Sequence, residues 1–149
     1  MSDESKIAQD ENEAHVTPII LVVEDDPLTR KAVSRRLQAE GYEIVAVPSA
    51  ADALIAAQRL PFHVLVLDLN LVTEDDPFSG IHEGFATLDW LKLQLGDLNF
   101  RVVIHTSQTG PSVLKKAEAS GVFAFCSKRR DLNNLAQCVA EAVDSLRAA

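Results

Sequence analysis

The feature that most constrains this fold is a set of short, mostly apolar runs that alternate with amphipathic stretches. The runs are built from Val, Ile, Leu and Ala, and aromatic residues make up only 5% of the chain. Apolar runs of this length are typical of strands that a parallel sheet buries on both faces. The predicted strands are Ile19–Val23, Glu43–Val47, Val64–Leu67, Arg101–His105 and Val122–Cys126.

Helix signals separate these runs. Capping and stop residues predict five helices. The first begins at Asp26-Pro27 and is stopped by Gly41, and the second is capped by Ser49 and ended by Pro61. The third begins near Gly84, the fourth covers Pro111–Ser120 with Gly121 as its C-terminal cap, and the last is capped by Asp131. Strands that alternate with helices are joined by right-handed crossovers. The sequence therefore predicts a single α/β domain over residues 18–149, with a doubly wound five-stranded parallel sheet.

Charge and composition exclude several classes of protein. The net charge of -8 argues against a nucleic-acid surface, which needs clustered Lys and Arg. Residues 1–17 hold five of the carboxylates and one lysine, so we interpret them as an acidic, disordered tail. There is no signal-peptide pattern and no apolar run that could span a bilayer, so we expect a cytoplasmic protein without membrane contact. Cys126 and Cys138 match no metal spacing, and we interpret them as small buried hydrophobes rather than a disulfide.

Polar side chains end four of the predicted strands. Glu24, Asp25 and Asp26 follow the first strand, and Asp68 follows the third, with Asn70 two positions on. Thr106 and Ser107 end the fourth strand, and Ser127 and Lys128 end the fifth. Because a doubly wound sheet places its functional groups at the carboxyl ends of its strands, we expect these groups to share one edge.

The grouped carboxylates predict a cation site. Like charges in one cleft repel, and a hard divalent cation such as Mg²⁺ or Mn²⁺ relieves that conflict with oxygen ligands. Magnesium commonly retains waters and accepts a phosphate oxygen, so the site has room for a phosphoryl group. Lys128, the Thr106 hydroxyl and a backbone N–H near Ser107 could hold the remaining phosphoryl oxygens. A nucleophilic Asp68 would then form an acyl phosphate.

Each of these residues also has a purely structural interpretation. Asp26 fits a helix N-cap, a lysine at a strand end usually points into solvent, and a threonine there is usually a turn residue. The joint arrival of these groups at four strand ends favours the functional interpretation.

The same residues resemble the response-regulator receiver family. Residues 21–27 resemble the first strand and acidic corner of that family, residues 64–70 resemble its phosphoacceptor strand, and Lys128 falls where its lysine should. The resemblance covers nearly everything from residue 18 onward and implies the flavodoxin-like strand order 2-1-3-4-5.

The resemblance also implies roles. Asp68 would be the phosphoacceptor, Asp25 the main carboxylate ligand of the metal, and Glu24 a ligand through a metal-bound water. The backbone carbonyl of Asn70 would complete the protein ligands. Thr106 would be the switch hydroxyl. The remaining implied roles are an aromatic switch at Phe125 and tuning of autodephosphorylation by Asn70 and Gln108.

Two features depart from the family pattern. The family usually follows its lysine with a proline in a cis peptide bond, whereas Arg129 follows Lys128 here, which leaves the loop trans or strained cis. The connection 71–83 is longer than in the family and carries Glu74, Asp75 and Asp76. It is either a tolerated surface insertion or a segment that gates the phosphorylation pocket or selects the partner. His82 and His105 lack partners at metal-ligand spacing, and we interpret them as a loop residue and a core-adjacent strand residue.

These observations favour a two-component response regulator of the stand-alone kind, similar to chemotaxis regulators. A histidine kinase or histidine phosphotransfer protein would phosphorylate Asp68 in a phosphorelay, and a downstream protein would bind the switched surface; a homodimer stays open. Such a protein is a phosphoacceptor switch with self-catalysed chemistry, not an enzyme in the ordinary sense. One alternative is a receiver-like binding module that works without phosphate. A haloacid-dehalogenase-type phosphohydrolase is disfavoured, because that class needs Asp-x-Asp after its first strand.

Overall fold

The computed structural model describes residues 16–69, 81–96 and 99–148, apart from the side chains of residues 81–84 and 148. It contains five strands and five helices in strict alternation within these ranges. In chain order they are β1 (Ile19–Val23), α1 (Pro27–Gln38), β2 (Glu43–Val47), α2 (Ala50–Arg59), β3 (Val64–Leu67), α3 (Ile81–Leu95), β4 (Arg101–Thr106), α4 (Pro111–Ala119), β5 (Ala124–Ser127) and α5 (Leu132–Ala148).

All five strands form one parallel sheet in the order β2-β1-β3-β4-β5. The predicted doubly wound architecture and its strand order are therefore confirmed. Strand order reverses between β1 and β3, which pair directly with Val23 opposite Leu67. The residues that follow these two strands consequently emerge side by side at the carboxyl edge of the sheet.

The sheet is buried on both faces, as its apolar runs require. Alternate residues of one strand enter different cores: Leu21 and Val23 face α2, α3 and α4, whereas Ile20 and Val22 face α1 and α5. Each of these four side chains is at most 2% exposed. Burying both faces removes a large apolar area from water, which is the main driving force for this architecture.

The helix starts agree with the capping residues in three places, and at the start of α5 Asp131 Oδ1 accepts the Asn134 N–H at 3.3 Å. The Asp26 carboxylate accepts the Thr29 backbone N–H at 2.9 Å, and Ser49 Oγ accepts the Asp52 N–H at 3.2 Å. Each side chain satisfies one of the N–H groups that the first turn of a helix leaves unpaired. Asp26 is thus a helix cap, which is the structural interpretation of that residue.

Several predicted boundaries need correction. Helix α3 begins at Ile81 and runs through Gly84, so His82 lies in a helix and not in a loop. Strand β4 extends one residue further, to Thr106. Strand β5 runs from Ala124 to Ser127 and not over Val122–Cys126, because Val122 still takes part in the turn that follows α4. Its N–H donates to Ala117 O at 3.4 Å, and Gly121 turns the chain with φ 73°.

Other predictions fall outside the described ranges. The tail is described only at residues 16 and 17, and the long acidic connection only from residue 81 onward.

None of the described peptide bonds is cis, so the bond between Lys128 and Arg129 is trans. No helix among the described residues has both the length and the apolar character needed to cross a bilayer.

Candidate functional site

Backbone hydrogen bonds fix the positions of Glu24 and Asp68 where the strand order reverses between β1 and β3. Glu24 directly follows β1, and its N–H donates to Val47 O at 3.0 Å. Asp68 directly follows β3, and its N–H donates to Val23 O at 3.2 Å. The sheet's own hydrogen bonds therefore continue through both residues and hold their side chains at one edge.

Three carboxylates converge at this edge. Glu24, Asp25 and Asp68 each offer an oxygen, and these oxygens all lie within 4.8 Å of one another. Glu24 is 2% exposed and Asp68 is 3% exposed, whereas Asp25 is half-buried. The cleft therefore holds a concentration of negative charge that is largely removed from water.

Lys128 balances part of this charge. Its Nζ donates to Glu24 Oε1 at 2.5 Å and to Asp68 Oδ2 at 2.9 Å. The lysine reaches this position from the loop after β5, where its N–H donates to Thr106 O at 2.9 Å. The side chain of Lys128 is 22% exposed, so the ammonium lies at the rim of the cleft while both acceptors lie inside it.

The electrostatics of the site are those of a crowded acidic pocket. Burial raises the pKa of Glu24 to about 7, and the nearby Asp68 charge adds to this, although the Lys128 hydrogen bond opposes it. Burial tends to lower the pKa of Lys128, but its hydrogen bonds to Glu24 and Asp68 prevail and the pKa is raised. The ammonium therefore stays charged, and Glu24 is poised to gain or lose a proton near neutral pH.

This donor set fits a divalent cation. Three carboxylates with oxygens inside 4.8 Å are hard ligands, and their mutual repulsion is the conflict that Mg²⁺ or Mn²⁺ relieves. Glu24, Asp25 and Asp68 are the residues that would hold such an ion. Asn70, the fourth predicted ligand, lies outside the described residues.

The predicted phosphoryl-binding residues line the neighbouring strand end. Thr106 is fully buried, and its Oγ1 accepts the Gln108 N–H at 3.3 Å. Ser107 is exposed beside it. Phe125 lies opposite Ile104 in the register and packs, half-buried, against the core cluster between the sheet and α2, α3 and α4. Thr106 thus lies at the edge of the site, whereas Phe125 packs against the core, two residues before Ser127, the partner of Thr106 in β5.

Two residues near the site were not assigned roles from the sequence. Arg30 Nη1 donates to the backbone oxygens of Glu24 at 3.0 Å and Asp25 at 3.3 Å, which anchors the acidic corner to α1. His105, interpreted as a core-adjacent residue, is 4% exposed, and burial together with the Lys128 charge lowers its pKa to about 4. An arginine in the first turns of an amphipathic helix gives no sequence signal for such an anchoring role.

Comparison with known proteins gives a consistent result. The family model described as the response regulator receiver domain matches residues 20–140. The transcriptional regulatory protein GlrR of Escherichia coli K12 is 30% identical over 131 residues, which cover 88% of this chain and 27% of GlrR. A putative transcriptional regulator of Pseudomonas aeruginosa is 29% identical over 117 residues, which cover 78% of this chain and 52% of that protein. The chain thus spans about a quarter of GlrR and half of the Pseudomonas protein.

Solved structures show the same fold. The signal receiver domain of a putative LuxO repressor protein from Vibrio parahaemolyticus superposes with a TM-score of 0.75 at 23% identity, covering 89% of this chain and 95% of that one. The chemotaxis protein CheY4 of Vibrio cholerae gives 0.70 at 23% identity, covering 85% and 99%.

Proposed function

The chain belongs to the response regulator receiver domain family of two-component systems, and on that premise we propose that Asp68 accepts a phosphoryl group in a Mg²⁺-dependent reaction. The observation that carries the proposal is the convergence of Glu24, Asp25 and Asp68 on one cleft closed by Lys128. Receiver domains generally act as phosphoacceptor switches, and the carboxylates and the ammonium in this cleft support that role for Asp68.

The chemistry begins with Asp68 as nucleophile. One carboxylate oxygen of Asp68 forms a bond to phosphorus as the bond from phosphorus to the donor nitrogen breaks, giving an acyl phosphate on Asp68. The leaving imidazole of the donor takes up a proton. A bound Mg²⁺ would supply charge neutralisation for the phosphoryl oxygens.

Lys128 contributes to this reaction through its charge. In the unphosphorylated site its ammonium donates to both Glu24 and Asp68. A phosphoryl group on Asp68 brings additional oxygens to the same place, and Lys128 can transfer a hydrogen bond to one of them without leaving the cleft. We assign Lys128 to stabilisation of developing negative charge, which requires little reorganisation.

We assign Thr106 the role of responding to phosphorylation of Asp68. Its hydroxyl is fully buried and accepts the Gln108 N–H at 3.3 Å. The hydroxyl can rotate to donate to a phosphoryl oxygen. We infer that Phe125, which pairs with Ile104 two residues before Thr106 in β4, responds to that movement. Such a coupling would carry the phosphorylation state toward the face formed by α4, β5 and α5, where we place the downstream protein target. Phosphoryl donors would be a histidine kinase or a histidine phosphotransfer protein.

The test is phosphorylation by a small-molecule donor. Wild-type protein and Asp68→Asn are incubated with acetyl phosphate, with and without Mg²⁺, and intact mass is measured. We expect one phosphoryl group on the wild type, present only with Mg²⁺ and released by hydroxylamine, which cleaves acyl phosphates. Asp144→Asn makes the same chemical change on an exposed face of α5 and should be phosphorylated like the wild type.

The opposite result selects the alternative function. If a folded wild type gains no phosphoryl group at excess donor and Mg²⁺, or if Asp68→Asn gains it equally, Asp68 is not the acceptor. A receiver-like module that binds its partner independently of phosphate would then be the better description.

A further inference from the structure

Two cysteine side chains meet between the last strand and the last helix. Cys126 lies in β5 and Cys138 lies in α5, and their Sγ atoms are 2.7 Å apart. Both are free thiols. Because the two thiols are in contact, they can form a disulfide once their sulfur atoms approach to about 2.05 Å.

The two thiols differ in their access to solvent. Cys126 is 1% exposed and packs in the core on the α1 and α5 face of the sheet, whereas Cys138 is half-buried at the edge of the same core. A reagent from solvent therefore reaches Cys138 first. The interpretation of both as small buried hydrophobes describes Cys126 well, but it does not account for a partly exposed thiol in contact with a second one.

We propose that Cys126 and Cys138 form a reversible redox pair, and that a peroxide closes them into a disulfide linking β5 to α5. The Cys138 sulfur attacks one peroxide oxygen, the O–O bond breaks, and the departing oxygen leaves as water after protonation. Cys138 is then a sulfenic acid. Cys126 loses its thiol proton, attacks the Cys138 sulfur and breaks the S–O bond, which releases a second water. Two thiols and one hydrogen peroxide thus give one disulfide and two waters.

The buried thiol of Cys126 is suited to the second step, the attack on the Cys138 sulfenic acid. Burial and the contact with Cys138 raise the pKa of the Cys126 thiol, so it remains protonated and unreactive toward reagents in solution. Its proximity compensates for low reactivity, because the sulfur it attacks is already in contact with it. The order of events is therefore oxidation at Cys138 and resolution by Cys126.

The location of the cross-link gives it a consequence for the fold. Residues 126–138 would become a closed ring, and Lys128 lies inside that ring. The loop that carries Lys128 already continues into α5, and the disulfide would join the strand before the loop to the same helix. Oxidation would consequently restrict the segment that positions the ammonium beside Glu24 and Asp68.

The test counts thiols in the full chain. Reduced wild type is treated with hydrogen peroxide at a dose that converts free glutathione to its disulfide, then denatured and labelled with a maleimide. We expect both thiols to be lost in a monomer whose intact mass falls by two hydrogen atoms, and dithiothreitol to restore both. The oxidised wild type should also unfold at a higher urea concentration than the reduced form, because the ring restricts the unfolded chain.

The variants separate the intramolecular bond from other oxidation. Cys138→Ser should keep a maleimide-reactive Cys126, and Cys126→Ala should stop at a Cys138 sulfenic acid that a dimedone probe captures. If the wild type keeps both thiols while glutathione is oxidised, the proposal is wrong. It is equally wrong if the thiols are lost only as disulfide-linked dimers on a non-reducing gel. These readouts need no phosphoryl donor and no Mg²⁺, so they are independent of the proposed phosphorylation.

Discussion

Lys128 Nζ lies 2.9 Å from Asp68 Oδ2, although sixty residues separate the two in the chain. The same ammonium lies 2.5 Å from Glu24 Oε1. One ammonium at the rim therefore donates to two carboxylates that are almost completely buried. The arrangement stabilises the folded site only as long as the positive charge is present, and this makes the lysine the most informative position for substitution.

We expect Lys128→Ala to destabilise the metal-free protein, and to do so more at pH 8 than at pH 6. Removing the ammonium takes away the hydrogen bonds that Glu24 and Asp68 accept from it. At pH 8, above the raised pKa of Glu24, that carboxylate loses its partner while it is charged, which should cost roughly 1–3 kcal/mol of unfolding free energy. At pH 6 Glu24 takes up a proton, since its pKa is already raised to about 7, and the loss should shrink. Urea denaturation in EDTA at both pH values measures this difference.

Lys31→Ala is the matched control, because Lys31 is exposed on α1. Its substitution should change the unfolding free energy by less than about 0.5 kcal/mol at either pH. Equal losses for Lys128→Ala at pH 6 and pH 8 would contradict the electrostatic explanation and would point to lost packing of the lysine stem.

Much of the site could be predicted from the sequence because its geometry follows from topology. The apolar runs at residues 19–23 and 64–67 are buried on both faces, and a parallel sheet brings the residues after them to one edge. Glu24 and Asp68 are adjacent for that reason alone. The long reach of Lys128 to both of them is a side-chain property, and no pattern in the sequence specifies how one ammonium divides between two acceptors.

What escaped prediction depends on packing between elements. The contact of Cys126 with Cys138 requires one particular rotation of α5 on β5, and the apolar periodicity of that helix tolerates several. Arg30 reaches the acidic corner through its side-chain length and the start of α1. The sequence predicts the start of α3 too late because Gly84 resembles a helix boundary, although a glycine inside a helix costs only about 1 kcal/mol.

Magnesium affinity should depend on pH through Glu24. A proton on this carboxylate competes with the cation, so the apparent Kd for Mg²⁺ should rise by up to about tenfold per pH unit below pH 7 and level off above it. Glu24→Gln should bind Mg²⁺ more weakly at pH 8 and lose most of the dependence between pH 6 and pH 8. Calorimetric titration at several pH values gives both quantities.

Glu43→Gln provides the control for that measurement, because Glu43 is exposed at the first position of β2. This variant should keep the wild-type dependence. A Glu24→Gln protein with the full wild-type slope would show that a different group takes up the competing proton.

His105 should make the protein less stable in acid. Its pKa is lowered from 6.5 to about 4, first by burial and then by the Lys128 charge, so the folded state keeps the ring neutral while the unfolded chain takes up a proton. The unfolded state therefore binds more protons between pH 6.5 and pH 4, and stability is lost as the pH falls through that window, by roughly 3 kcal/mol for this group. Glu24 has the opposite effect, because its raised pKa makes the folded state the better proton binder between pH 4.5 and pH 7.

Two measurements separate these opposing contributions. His105→Gln should flatten the fall in unfolding free energy between pH 6.5 and pH 4, whatever its effect on stability at pH 7. Titration of the His105 ring by NMR in the folded protein should give a pKa near 4. A ring that titrates near 6.5 would remove the basis of this prediction.

Thr106→Val should slow phosphorylation by acetyl phosphate at least about tenfold, whereas Thr106→Ser should stay close to the wild type. Valine keeps nearly the volume of threonine at a position that is fully buried, but it removes the hydroxyl that we assign to the phosphoryl oxygens. The Gln108 N–H loses its acceptor in this variant, and this should cost about 1 kcal/mol of stability. Because serine retains the hydroxyl, comparison of the two variants at equal folded fraction isolates its chemical role. Equal phosphorylation rates for the valine and serine variants would exclude the Thr106 hydroxyl from the reaction.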